Sequence, residues 1–176
     1  MRVLIVYGSK MGGTAGIADM IGDAFTRQGA HADVVRAEDA RAPESYDAVI
    51  VGSALYAFRW RRAAAGFVRQ YSETLRAKPT WFFSSGPLDD SASAADLPPT
   101  RQVDRLMARA EARGHKTFGG RLKPDAEGFP ARAMAKTHAG DWRRPDEIEA
   151  WVAGIAAELG LTQNAVNVPQ PVGAGR

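Results

Sequence analysis

The chain contains no cysteine among its 176 residues, which removes disulfide frameworks, thiolate metal sites, iron–sulfur clusters and cysteine nucleophiles together. Any redox chemistry must use a borrowed cofactor. No run of about 18 consecutive apolar residues occurs, so a membrane-spanning helix is excluded. Residues 1–7 meet Gly8 too early to form the apolar core of a secretory signal, and a cytoplasmic location is expected. Neither Gly-x-Gly-x-x-Gly nor Gly-x-x-x-x-Gly-Lys-Ser/Thr stands at the first turn, which weighs against NAD and nucleoside triphosphates. His31, His115 and His138 lack metal-ligand spacing, and no Ser/His/Asp constellation is found, so no catalytic side chain and no metal ligand is assigned. Excess charge is small too: the formal net charge is +3 and the pI about 9.4, with basic residues scattered outside any nucleic-acid motif. Nucleic acid is not an expected partner.

What is present reads as alternating strand and helix. Apolar residues make up 45% of the chain, enough for one domain over residues 1–161, with a flexible tail over 162–176. Val3-Leu4-Ile5-Val6-Tyr7 is a doubly covered strand, followed by a helix whose stripe is Ile17, Met20, Ile21, Ala24 and Phe25. Residues 31–36 form an edge strand and residues 48–52 a third, buried strand. A helix runs from Ala64 through Phe67, Val68, Tyr71 and Leu75. Residues 80–84 are a fourth strand, and 89–100 a loop. A helix packed through Val103, Leu106, Met107 and Ala110 and capped by Gly114 leads to a last strand over 115–120. Residues 121–143 show no period and read as a long irregular excursion. The final helix carries Ile148, Trp151, Val152, Ile155, Ala156 and Leu159 on one stripe, with Pro145 in its first turn. This pattern implies a three-layer α/β sandwich: a five-stranded parallel sheet in order 2-1-3-4-5 with helices on both faces. Its ligand crevice opens beyond the carboxyl ends of the strands, after Tyr7, Gly52 and Phe83.

The first of those loops, Gly8-Ser9-Lys10-Met11-Gly12-Gly13-Thr14, joins a buried strand to a helix start and supplies glycines, hydroxyls and a lysine. Free backbone N–H groups there, with glycines that let the backbone approach closely, suit a phosphate. The alternative is a plain tight turn with Thr14 as helix cap; the spacing weighs against it. A receiver-type phosphoacceptor needs acidic residues where Gly8-Ser9 and Gly52-Ser53 stand. A ligand with one terminal phosphate remains, and FMN leads.

Four pieces in order, Val6-Tyr7-Gly8-Ser9-Lys10-Met11-Gly12-Gly13-Thr14, Val51-Gly52-Ser53-Ala54-Leu55-Tyr56, Phe82-Phe83-Ser84-Ser85-Gly86-Pro87 and Gly140-Asp141-Trp142-Arg143, carry a resemblance over residues 1–160. In them the chain resembles the flavodoxin superfamily, and within it the flavodoxin-domain proteins related to menaquinone-dependent protoporphyrinogen oxidase. The resemblance implies a flavodoxin-like fold and FMN as cofactor. It implies that Ser9, Lys10, Met11, Gly12, Gly13 and Thr14 hold the FMN phosphate. Ser53, Ala54, Leu55 and Tyr56, together with Ser84, Ser85, Gly86, Pro87 and Leu88, would flank the isoalloxazine. It further implies an oxidoreductase moving electrons from a reduced donor to a quinone or similar acceptor. A flavodoxin-type carrier without its own substrate and a flavin-free interaction module are the alternatives.

Tyr56 and Phe58 can wall a flavin, whereas Trp81, Phe82 and Phe83 read as core. Soluble shuttles of this family are typically acidic, and this chain is basic. Arg59, Arg61 and Arg62 stand just past the second loop, where a positive charge favours a two-electron-reduced anionic flavin and attracts a carboxylate-bearing substrate. A solvated helix start explains them equally well. Arg121, Lys123, Arg132, Lys136 and His138 in the excursion fit at most a peripheral touch on an anionic membrane, a cover over substrate, or a plain surface loop.

Overall fold

Val3-Leu4-Ile5-Val6 has no exposed face, each side chain lying at 0 or 1% exposure, and forms the middle of β1 (Arg2–Gly8). A strand so enclosed needs cover on both sides. In the computed structural model, which describes residues 1–126, 135 and 139–161, that cover comes from two helical layers. One holds α1 (Gly13–Arg27) and α6 (Pro145–Glu158); the other holds α2 (Arg62–Gln70), α3 (Ser72–Arg76) and α5 (Arg101–Ala110). The remaining elements are β2 (His31–Arg36), β3 (Ala48–Tyr56), β4 (Arg59–Trp60), β5 (Thr80–Ser85), β6 (Gly114–Phe118), β7 (Arg121–Leu122), β8 (Gly140–Asp141) and the short α4 (Ser91–Ala94).

The sheet runs β2-β1-β3-β5-β6, and every one of these pairings is parallel. Leaving aside the two-residue β4, this is the order 2-1-3-4-5 expected of the sequence. Alternation along each strand sorts the core. Val3, Ile5, Ile50 and Phe83 pack with Ile17, Ile21, Phe25, Ile148 and Val152 beneath α1 and α6. Leu4, Val6, Val49, Val51 and Phe82 pack with Phe67, Val68, Leu75, Val103 and Leu106 on the other face. Gly52 lies under the Phe83 ring, and a Cβ there would collide with it.

Four local expectations change. The helix expected over residues 64–75 breaks at Tyr71 (φ −106°), where the Ser72 hydroxyl turns back to the Arg69 carbonyl at 3.3 Å and competes with helical continuation. Gly114 opens β6 instead of capping α5; Glu111, at φ +51°, ends that helix. The expected loop over 89–100 contains the turn of α4, entered through the Asp89 carboxylate, which accepts the Ser91 N–H at 2.9 Å. The excursion after residue 120 begins and ends as an antiparallel pair, Arg121 opposite Asp141 and Leu122 opposite Gly140. Arg132, Lys136 and His138, and the tail over 162–176, lie outside the described residues. No helix among the described residues is long and apolar enough to cross a membrane.

Candidate functional site

The carboxyl ends of β1, β3, β5 and β6 come together beside the start of α1. Gly8 ends β1 where an added Cβ would lie 3.0 Å from Ala64 Cβ and 3.1 Å from Ser53 Oγ, so a side chain there would press on α2 and β3. The Ser9 hydroxyl accepts the Gly12 N–H at 3.1 Å, and Gly12 caps α1 at φ +80° with open space around it. Its carbonyl accepts the Gly16 N–H at 3.1 Å. The N–H groups of Gly13, Thr14 and Ala15 precede that first helical bond. No side chain caps this terminus, and its first turn holds no acidic residue. The positive end of a fifteen-residue helix is therefore left to an outside acceptor.

β3 runs past its parallel partners and folds back onto β4, pairing Leu55 with Trp60 and Tyr56 with Arg59. The two-residue turn is Ala57-Phe58, at φ +46° and +61°. Such turns normally carry Asn or Gly, because each ordinary L-residue at positive φ costs about 1–2 kcal/mol. Phe58 is 81% exposed at the tip. On the far side, the Gly86 N–H donates to the Phe118 carbonyl at 3.2 Å and the Gly120 N–H to the Pro87 carbonyl at 2.8 Å, tying the β5 and β6 loops together.

These four loops enclose a cavity of about 320 Å³. Ser9, Met11, Gly13 and Thr14 line it from the first loop; Ala54, Leu55, Tyr56 and Ala57 from the second; Ser85, Gly86 and Leu88 from the third; Gly120, Arg121 and Leu122 from the fourth. Lys10, Gly12, Ser53, Ser84 and Pro87 stand next to lining residues without lining it themselves. The Ser53 hydroxyl, fully buried, accepts the Arg61 N–H at 3.0 Å. Ser84 Oγ accepts the Trp60 indole N–H at 2.9 Å and lies 2.9 Å from His115 Nε2. Both serines brace the floor of the site through their side chains.

Sequence reasoning missed Ala57, Gly120 and Leu122, and named Arg121 only as part of an excursion that could cover substrate. The Gly119-Gly120 pair was a usable signal, since small residues also end the other inner strands. A Cβ on Gly119 would collide with the Trp142 carbonyl, and one on Gly13 would lie 3.1 Å from the Arg121 carbonyl. β7 thus crosses over the start of α1. Asp141 holds that crossing, 3.6 Å from Arg121 Nε and hydrogen-bonded by Arg143 Nε at 2.7 Å. These bonds hold the Asp141 carboxyl below the usual carboxylate range.

Arg121 is the only charged side chain lining the cavity among the described residues, so its walls offer shape, apolar surface and backbone groups rather than acid–base chemistry. Described residues form no cluster able to hold a metal. Arg59, Arg61 and Arg62, grouped in the sequence, part in the fold: Arg62 opens α2, Arg61 sits over the Tyr56 ring at 5.7 Å, and Arg59 faces away across the hairpin. Burial pushes the Tyr56 phenol up.

A family model described as a flavodoxin domain matches residues 4–140. The chain belongs to this family. FMN is the cofactor of flavodoxin domains and electron transfer their work. Among solved structures, the chain is similar to oxidised flavodoxin 2 from Bacillus cereus, with 19% identity and a TM-score of 0.61 over 90% of this chain and 99% of that one. It is also similar to a flavodoxin from Pseudomonas aeruginosa, with 16% identity and a TM-score of 0.59 over 91% and 99% of the two chains. Rubredoxin oxygen:oxidoreductase from Desulfovibrio gigas shares the fold at 16% identity and a TM-score of 0.51, over 86% of this chain and 37% of that one.

The cavity suits the family's cofactor on its own chemistry. An uncapped helix start free of acidic side chains fits a phosphate. A mostly apolar slot opening from it, with backbone groups at its rim, fits a flat ring.

Proposed function

We propose that this chain holds FMN in the cavity at the strand ends and acts as an oxidoreductase, moving electrons from a reduced donor to a quinone or similar acceptor, in the manner of protoporphyrinogen oxidase relatives. Ser9, Lys10, Met11, Gly12, Gly13 and Thr14 bind the phosphate in this reading. Ala54, Leu55, Tyr56, Ser85, Gly86 and Leu88 flank the ring, while Ser53, Ser84 and Pro87 hold those segments in place. Bound FMN supplies the redox chemistry; the chain orients it, excludes water from one face and sets the charge around it. Arg61, over the Tyr56 ring, is a cation on the hairpin side of the cavity and supports two-electron rather than one-electron use.

The observation that carries the reading is the junction of an uncapped α1 terminus with a mostly apolar cavity. Its test is an absorbance and fluorescence titration of the protein with FMN. Shifted flavin bands and quenched fluorescence are expected, with affinity about tenfold weaker in Thr14→Ala, the loss of one hydrogen bond to a charged group. Wild-type protein that neither copurifies with FMN nor takes it up sinks the proposal and leaves a flavin-free interaction module. The other rival is a carrier without its own substrate, consistent with a chain that spans nearly all of a flavodoxin. Reductive titration separates the two: one two-electron step supports the oxidoreductase, and a stable one-electron stage supports the carrier.

A further inference from the structure

Across the β3–β4 hairpin from the FMN cavity lies a second, open cavity of about 630 Å³, whose lining includes Ala57, Phe58, Arg59, Thr100, Arg101 and Arg105. Its charge is of one sign. Arg101 and Arg105 lie four residues apart on the same face of α5, and Arg59 reaches in from β4. Among the described residues none of the three makes an ion pair. Three like charges in one concavity repel each other, and among the described residues no carboxylate lines it, Asp104 of the same helix lying outside the lining. The groove is also held in place, because the Gln102 side chain accepts the Trp60 backbone N–H at 2.7 Å and locks α5 to β4.

We propose that this groove binds the oxyanion of a small organic molecule, a carboxylate or phosphate ester on an apolar body. Guanidinium forks pair with either group in bidentate geometry. The exposed Phe58 ring offers an apolar ledge for the body, held at a backbone angle that ordinary residues avoid. An acidic protein surface is a poorer fit, because the three arginines line one concavity rather than spreading over a face. Ala57 lines both cavities, so a molecule anchored by its oxyanion lies directly beside the FMN cavity. Its role as electron donor or acceptor rests on the function proposed above; its binding does not.

The test uses flavin-free full-length protein titrated with benzoate, phenyl phosphate, inorganic phosphate and neutral benzamide. Backbone amide and arginine Nε–H shifts are followed by NMR. Saturable shifts confined to residues 57–59 and 100–105 are expected with benzoate or phenyl phosphate, whichever is the tighter naming the oxyanion. Affinity should fall at least tenfold in the double variant Arg101→Gln/Arg105→Gln, and with added salt in the wild type. FMN titration of the same double variant should be unchanged, so loss of the groove and loss of the FMN site are read separately. Benzamide binding as tightly as benzoate overturns the proposal, as does a double variant that binds like wild type. Inorganic phosphate matching phenyl phosphate removes the organic body, and an oligoglutamate peptide binding more tightly than both small probes makes the surface a protein dock instead.

Discussion

The two cavities meet at Ala57 and differ in how they were built. The cavity proposed for FMN is built on four strand ends, with glycines at close approaches, apolar side chains and one charged side chain already turned toward Asp141. The groove is made of side chains, and three of those are arginines with no ion pair among the described residues. A cavity of backbone groups recognises shape and partial charge and changes little with ionic strength, whereas a cavity of guanidinia recognises net charge and is screened. The hairpin that divides them is strained, and the chain Trp60–Ser84–His115 lies under both: Trp60 adjoins Arg59 of the groove, and Ser84 adjoins Ser85 of the FMN cavity. Each part can be disturbed separately.

The largest effect is expected at the shared floor. Burial pushes His115 down to about 4 from an ordinary 6.5, and its Nδ1 is buried without a partner among the described residues. Between these two values the unfolded chain binds a proton that the folded chain refuses, so stability falls as pH drops from 6.5 to 4 and the loss levels off below 4. The loss amounts to about 3 kcal/mol at pH 4 relative to pH 7. Urea titrations at both pH values should show that much less acid sensitivity in His115→Leu than in wild type. Parallel curves for the two proteins would mean that His115 is not part of the floor.

Next comes a substitution in the loop that borders the strand-end cavity. Gly12→Asp puts a side chain at φ +80° and a carboxylate at a helix terminus reserved for an anion. FMN affinity should fall about 100-fold, about 2.7 kcal/mol, and benzoate binding in the groove should not change. Loss of both would mean that the cavities are coupled through the hairpin rather than merely adjacent.

The contrast between the cavities also governs how much was legible in the sequence. Backbone-built features leave local signatures. The run Val3-Leu4-Ile5-Val6, the stripe Ile17-Ile21-Phe25 and the glycines at 8, 12 and 13 were enough to place the sheet, its order and the glycine-rich loop beside the strand-end cavity. Ser84 was readable only in part: its place at a strand end was clear, but alternation with Phe82 sends its hydroxyl to the α2 and α5 face, where it meets Trp60. The β4 hairpin left no signal, because its turn is Ala57-Phe58 where a local rule looks for Asn-Gly. The groove was illegible for a different reason. Arg59 and Arg101 are brought together by α5 docking on β4, and nothing in either segment names the other.

A smaller effect is expected at the partition. Phe58→Gly relieves about 1–2 kcal/mol of backbone strain and loses about 0.5–1 kcal/mol to the freer unfolded chain, a net gain of about 0.5–1 kcal/mol. The same variant should bind benzoate more weakly, since the ledge is gone. Stability and binding moving in opposite directions would identify the strain as held for function; both falling would make Phe58 an ordinary packing residue.

The smallest effect separates two kinds of arginine. Arg27 pairs with Glu149 at 2.7 Å between α1 and α6, both side chains more than half exposed, so Arg27→Gln should cost less than about 0.5 kcal/mol. Arg105 has no such partner among the described residues and faces Arg101 one helical turn away. Arg105→Gln should therefore stabilise the protein, by about 0.2–0.5 kcal/mol at low salt. High salt should erase both differences, since each is a screened surface interaction. Opposite signs at low salt, read from paired denaturation curves, would show that the groove holds its charge against folding stability. Equal signs would mean that Arg105 has found an acceptor within the fold and that the groove is less cationic than its residues suggest.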